Sequence, residues 1–222
     1  MAPAQRADLI FDVTAAVGAE LAISEVSGEE PLVAGYLQVE EGKDTAERSG
    51  NAAPDLPKHN VPMPDLDKAR IVELAMAGGA MSFVETAVFK GKTLDARTLA
   101  REHGQVWSMN GMAGTGLEPL FSAAQGETIV VRMKNDTRWP HGMHVHGHHF
   151  IETSRKPVTG FGFSVEKVVT ESAAPCRDTV LMQPGEVVDI AFVADNPGSW
   201  LLHCHMMEHM AGGMVTWFEV RG

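Results

Sequence analysis

Residues 203–214 read His-Cys-His-Met-Met-Glu-His-Met-Ala-Gly-Gly-Met. Cys204 lies between His203 and His205, His209 follows it by five residues and Met214 by ten. A thiolate, two imidazoles and a weak thioether form the donor set of a blue-copper electron-transfer site. If Leu201–His205 is a strand, side-chain alternation puts Cys204 on one face and His203 and His205 on the other. One short segment can then serve two metal sites. Methionine alone signals little here, because the chain has 13 and Met206, Met207 and Met210 crowd the motif. A single Met is more often core filler than ligand. Met214 is singled out because Gly212 and Gly213 let the chain turn back toward Cys204.

A second stretch, His141-Gly-Met-His144-Val-His146-Gly-His148-His149-Phe150, holds five more of the ten histidines. On a strand His144, His146 and His148 share a face, His141 is out of phase, and His149 is opposite. Imidazoles crowded on one face repel when protonated and compete for hydrogen bonds when neutral, and a bound metal resolves both problems. Alone, this stretch fits zinc hydrolases as well as copper proteins. The Cys–Met pairing of the first stretch argues for copper, since thioether ligation is a soft-metal trait. His59 and His103 stand alone and read as surface residues.

These clusters must be positioned by strands. Short apolar or alternating runs occur at Val106–Met109, Glu127–Lys134, Met143–Ile151, Val165–Thr170, Arg177–Met182, Glu186–Val193, Trp200–His205 and Met214–Val220. Gln183-Pro184-Gly185 and Asp195-Asn196-Pro197-Gly198 punctuate them as turns. Only Thr93–His103 reads as a helix. The pattern predicts an all-β fold, a Greek-key β-sandwich or barrel with one short helix. Upstream, Asp8–Val13 and Pro31–Val39 read as strands. Residues 41–70, with Pro54, Pro57, Pro62 and Pro64, read as a linker or long loop. The predicted organisation is 1–40, a strand-rich remnant of an adjacent domain; 41–70, the linker; and 71–222, the domain carrying the histidine clusters.

With 29 acidic and 18 basic residues the formal charge is −11, which repels phosphate backbones and argues against a nucleic-acid partner. The apolar residues are too evenly spread for a membrane span. Two cysteines give no disulfide framework. With Cys204 on a metal, Cys176 is expected to be a buried, inert thiol. The first residues, Met-Ala-Pro-Ala-Gln-Arg-Ala-Asp, have neither the basic nor the apolar region of a signal peptide. Three of the four tryptophans, Trp139, Trp200 and Trp217, lie near the clusters and read as packing residues.

At these motifs the chain resembles the multicopper oxidases, the family of laccases and related copper-dependent oxidases, and in particular their C-terminal cupredoxin domain. The first stretch matches the family's His-Pro-x-His-Leu-His-Gly-His-x-Phe, and the second its His-Cys-His-x-x-x-His-x-x-x-x-Met. Trp107–Gly111 and Gly126–Thr137 are similar to the lead-in to that domain, and residues 5–13 to the closing strands of the domain before it. The resemblance implies a type 1 copper on His141, Cys204 and His209 with Met214 axial. It further implies a type 2 copper on His144 and a type 3 pair on His146, His203 and His205. Electrons arriving at Cys204 would reach His203 and His205 through a few covalent bonds, so these three residues carry the catalytic role. Implied reactants are a reducing substrate (phenol, aromatic amine or metal ion) and dioxygen. The implied parent is periplasmic or extracellular.

Gly142 departs from the family's proline. The larger departure is that the family's two further His-x-His motifs, which complete the type 2/type 3 cluster from an N-terminal domain, do not occur in these 222 residues. The expected reading is therefore an oxidase domain, incomplete alone and completed by an N-terminal cupredoxin domain or partner chain. A non-enzymatic blue-copper electron-transfer or copper-binding protein is the alternative. A zinc hydrolase would leave Cys204 and Met214 unexplained.

Overall fold

The computed structural model describes residues 2–9, 11, 13–26, 28–41, 60–79, 84–157, 167–168 and 175–222. It contains two compact units, Ala7–Lys58 and Met1–Arg6 with His59–Gly222. In the smaller unit β1 (Glu20–Glu25) pairs antiparallel with β2 (Leu32–Gln38), with a register shift between Ile23 and Ser24. The run at Pro31–Val39 thus becomes β2. The strand expected at Asp8–Val13 does not form among its described residues. Alternation favours a strand only where a sheet edge takes up its backbone groups. Here Leu9 and Phe11 are 79% and 57% exposed. Ile10, Asp12 and the expected linker residues 42–59, with His59 among them, lie outside the described residues.

The larger unit carries β3 (Arg70–Gly78), β4 (Thr86–Phe89), β5 (Lys92–Asp95), α1 (Ala96–His103), β6 (Trp107–Met109), β7 (Ser122–Ala124) and β8 (Thr128–Asn135). These are followed by β9 (His141–Val145), β10 (Ile151–Pro157), β11 (Lys167–Val168), β12 (Thr179–Met182) and β13 (Glu186–Val193). The last elements are β14 (Gly198–Cys204), α2 (Met207–Ala211) and β15 (Val215–Arg221). One sheet runs β11-β10-β13-β8-β3-β6 and a second β12-β9-β14-β15-β7, with β4-β5 as a separate hairpin. Most pairs are antiparallel; β3 with β8 and β15 with β7 are parallel. The fold is the expected all-β architecture.

The two large sheets enclose one core. Ile129, Val131, Met133, Ile190 and Phe192 come from one sheet, and Met143, Val145, Leu202 and Phe218 from the other. Met76, Met133, Met143 and Met182 are fully enclosed, which accounts for much of the methionine content as core packing.

Two expectations shift. The helix expected from Thr93 starts at Ala96, because the Asp95 carboxylate accepts from the Arg97 and Thr98 N–H groups and residues 92–95 pair with β4. The single strand expected at Met143–Ile151 is two strands, β9 and β10. Gly147 breaks it at φ +71°, where an added Cβ would stand 2.4 Å from the Trp200 ring. Of the run expected at Val165–Thr170, only Lys167–Val168 is described, as β11. No described helix is long and apolar enough to cross a membrane.

Candidate metal centre

The histidine motifs meet because β9 and β14 are neighbours, with His203 opposite His144, Cys204 opposite Met143, and Leu202 opposite Val145. Pleating then sorts the side chains. His141, Met143 and Val145 of β9, with Leu202 and Cys204 of β14, are buried toward the core. On the other face Thr179 of β12, His144 and His203 form one cross-strand row. His146 and His205, just past the two strand ends, join that row: ring centroids are 4.8 Å for His144–His146 and 5.3 Å for His144–His205.

On the core face, Cys204 Sγ lies 3.8 Å from His141 Nδ1 and 3.7 Å from His209 Nδ1, and the two nitrogens are 3.1 Å apart. The centre of such a triangle is about 2.1 Å from each corner, close to a metal–imidazole bond and somewhat short of a metal–thiolate one. The donor set therefore fits a metal ion, and its softness fits copper. His209 reaches the triad through α2. Five residues separate it from Cys204, so continued strand alternation would have placed it on the far face. Met206 and Glu208 carbonyls instead accept from His209 and Gly212 N–H groups and wind the chain back. Met214 is fully buried in the core with Cys204, whose N–H donates to the Met214 carbonyl at 3.1 Å. The return needs Gly213 at φ +114°, where a Cβ would meet the Trp107 carbonyl at 2.5 Å.

Burial, reinforced by the neighbouring His209, depresses the His141 pKa to about 3, so its ring is neutral at ordinary pH. Burial also lowers His209, against the pull of Glu208. The Cys204 thiol is pushed upward by burial, so binding a metal must displace its proton. Thr137 fixes which His141 nitrogen is free. Its hydroxyl donates to Asn135 Oδ1 at 2.7 Å and so can accept from His141 Nε2–H at 2.8 Å, leaving the Nδ1 lone pair toward Cys204.

On the outer face the pattern inverts. His144 Nδ1 lies 3.0 Å from the Asp178 carbonyl and 2.9 Å from Thr179 Oγ1, and His203 Nδ1 lies 2.9 Å from the Cys204 carbonyl. These contacts hold the protons on Nδ1 and leave Nε2 facing outward. His203 Nε2 is 2.9 Å from His146 Nε2. His205 Nδ1 is buried with no hydrogen-bond partner. Burial lowers the pKa of His144, His146 and His203, so these three present lone pairs rather than charges.

His148 does not share the face of His144 and His146 as alternation suggested. Beyond the Gly147 turn it packs among Phe192, Trp200 and Phe218 and contacts the His146 carbonyl. Sequence reasoning missed Thr137, Asn135 and Trp107. Trp107, from β6, is the tryptophan that lies against the triad, 5.1 Å from His141 and 4.7 Å from His209 between ring centroids. Its position within the lead-in segment was the available signal. Cys176 is only partly buried, beside Val130, Ile151 and Ala191, and burial raises its pKa.

A family model described as multicopper oxidase matches residues 89–222. The chain is 36% identical over 114 residues to the iron transport multicopper oxidase fio1 of Schizosaccharomyces pombe, covering 47% of this chain and 18% of that protein. It is 38% identical over 92 residues to Laccase-1 of Melanocarpus albomyces, covering 37% and 15%. In fold it is similar to a multi-copper oxidase from Pseudomonas thermotolerans (TM-score 0.60, 21% identity), over 93% of this chain and 41% of that one. The chain thus spans less than half the length of the relatives it matches.

Proposed function

The chain belongs to the multicopper oxidase family, and from that premise we propose that it is the electron-entry half of an oxidase. In this reading His141, Cys204 and His209 would hold a type 1 copper, with the buried Met214 beside them as a weak fourth donor. His144 contributes to a type 2 site, and His146, His203 and His205 to a type 3 pair. Copper in these sites supplies one-electron redox chemistry, drawing electrons from a reducing substrate (a phenol, an aromatic amine or a metal ion) toward dioxygen. The residues supply the connection. Cys204 is bonded through backbone to His203 and His205, and the His203 Nδ1–H to Cys204 carbonyl contact shortens the route from the core face to the outer one. His209, only partly buried, is the edge of the triad nearest solvent.

The observation that carries the reading is the sorting of the two motifs onto two faces of one sheet, a three-donor triad inside and four imidazoles outside. A second reading, a blue-copper electron-transfer protein, draws on a specific fact. Among the described residues, His141, Cys204 and His209 alone form a close three-donor group. Oxygen uptake separates the two. The chain alone, copper-loaded and given a phenolic or metal-ion reductant, is expected to consume little oxygen. Joined to an N-terminal cupredoxin domain with two His-x-His motifs, it is expected to turn over. Rapid uptake by the chain alone would contradict its incompleteness, and failure with the added domain would favour the electron-transfer reading.

A further inference from the structure

Residues 2–6 pack with the larger unit as a short strap, tied down at three points around β9 and β12. Ala2 is buried and sits, with Pro3, over Gly142; a Cβ at 142 would approach Ala2 Cβ at 3.3 Å and Pro3 Cδ at 3.4 Å. Gln5 donates from Nε2 to the Thr179 carbonyl at 2.9 Å, and its Oε1 accepts from the Ala2 N–H at 2.8 Å. Arg6 donates to Asp178 Oδ2 at 2.7 Å. The bare Cα of Gly142 leaves Ala2 and Pro3 room to lie close against β9.

From Asp178 the contacts continue to the histidine face. The Thr179 hydroxyl donates to Asp178 Oδ1 at 3.0 Å, so its oxygen is left to accept from His144 Nδ1 at 2.9 Å. The Asp178 carbonyl accepts from the same nitrogen at 3.0 Å. The two acceptors at Nδ1, the Thr179 hydroxyl oxygen and the Asp178 carbonyl, fix the proton there and direct the Nε2 lone pair outward. We propose that Arg6 and Asp178 are positioning residues for His144, holding Thr179 in the orientation that keeps its imidazole in the Nδ1–H form. The carboxylate acts through Thr179, since Asp178 Oδ1 itself stands 3.9 Å from the ring.

The proposal takes from the function above only that His144 is a ligand, and it is tested without copper. Nitrogen-15 NMR of the imidazoles in the metal-free chain distinguishes the protonated from the bare ring nitrogen. His144 is expected to be a single Nδ1–H tautomer. In Asp178→Ala the freed Thr179 hydroxyl can donate to Nδ1, and the signals should move to a mixture with the Nε2–H form. Asp178→Asn, which restores an acceptor, should return most of the original pattern. Arg6→Gln, at an exposed side chain that leaves the fold intact, should move His144 in the same direction by less. His203, whose Nδ1 is tied to the Cys204 carbonyl, should not move in any variant and reports on folding. An unchanged His144 pattern in Asp178→Ala with His203 intact would overturn the role of the carboxylate. If His203 moves as well, Arg6→Gln decides, and no displacement of His144 there overturns the proposal. A copper-binding failure at Cys204 would leave all these signals as they are, so the two readings fail separately.

Discussion

The two faces of the β12-β9-β14-β15-β7 sheet present imidazoles in opposite arrangements. On the core face, His141 is tied at Nε2 by Thr137 and presents Nδ1 to Cys204 and His209. On the outer face, His144 and His203 are tied at Nδ1 and turn Nε2 outward, that of His203 toward His146 Nε2, and His205 Nδ1 is buried without a partner. The inner site closes on itself because α2 and Gly213 return the chain to the sheet. The outer face receives no such return among the described residues. The difference follows from chain path rather than from the number of imidazoles.

The largest effect is expected from Cys204→Ser. It removes the donor whose charge transfer colours a type 1 site, and the visible band should vanish from the copper-loaded protein; an unchanged spectrum would mean that Cys204 does not bind the metal. Acid comes next. The folded-state pKa of His141 lies near 3 against an ordinary 6.5, so above that ordinary value its neutral, buried form costs nothing. As pH falls from 6.5 toward 3 the unfolded chain gains a proton that the folded one refuses. The metal-free chain should therefore lose stability, by roughly 1.4 kcal/mol per pH unit from this group. Denaturant titrations across that range should show a shallower slope in His141→Asn, and equal slopes would argue that His141 is not the group responsible.

Thr137→Val removes the oxygen that fixes the His141 tautomer while keeping the volume. Loss of such an outer partner typically costs about 10–100-fold in metal affinity, and competition against a chelator would measure it. The smallest effect belongs to Met214→Leu. Copper should be retained and the reduction potential raised, because the axial neighbour tunes the site without anchoring it. Loss of copper in that variant would mean a different coordination scheme.

Much of this is legible in the amino-acid sequence. Alternation along His203–His205 sorted the ligands onto opposite faces because a strand has a fixed period of two. The same rule failed at His148, where Gly147 ends the strand and the count no longer applies. It could not reach His209, because α2 is five residues long and too short to show a period. Thr137 was invisible for a different reason: a lone threonine is a common residue, and its role depends on Asn135 turning its hydroxyl proton away. Trp107 arrives from β6, nearly a hundred residues before Cys204 in sequence, so proximity along the chain pointed to the wrong tryptophans. Asp8–Val13 had the pattern of a strand but no described edge to pair with.

The asymmetry between the two faces is tested most directly by absorption spectroscopy during copper titration of this chain alone. The expected result is an intense visible thiolate-to-copper band that saturates near one copper per chain, without the near-ultraviolet shoulder of a bridged copper pair. Both features rising together would contradict it, since the outer face would then assemble coupled coppers from ligands within these 222 residues.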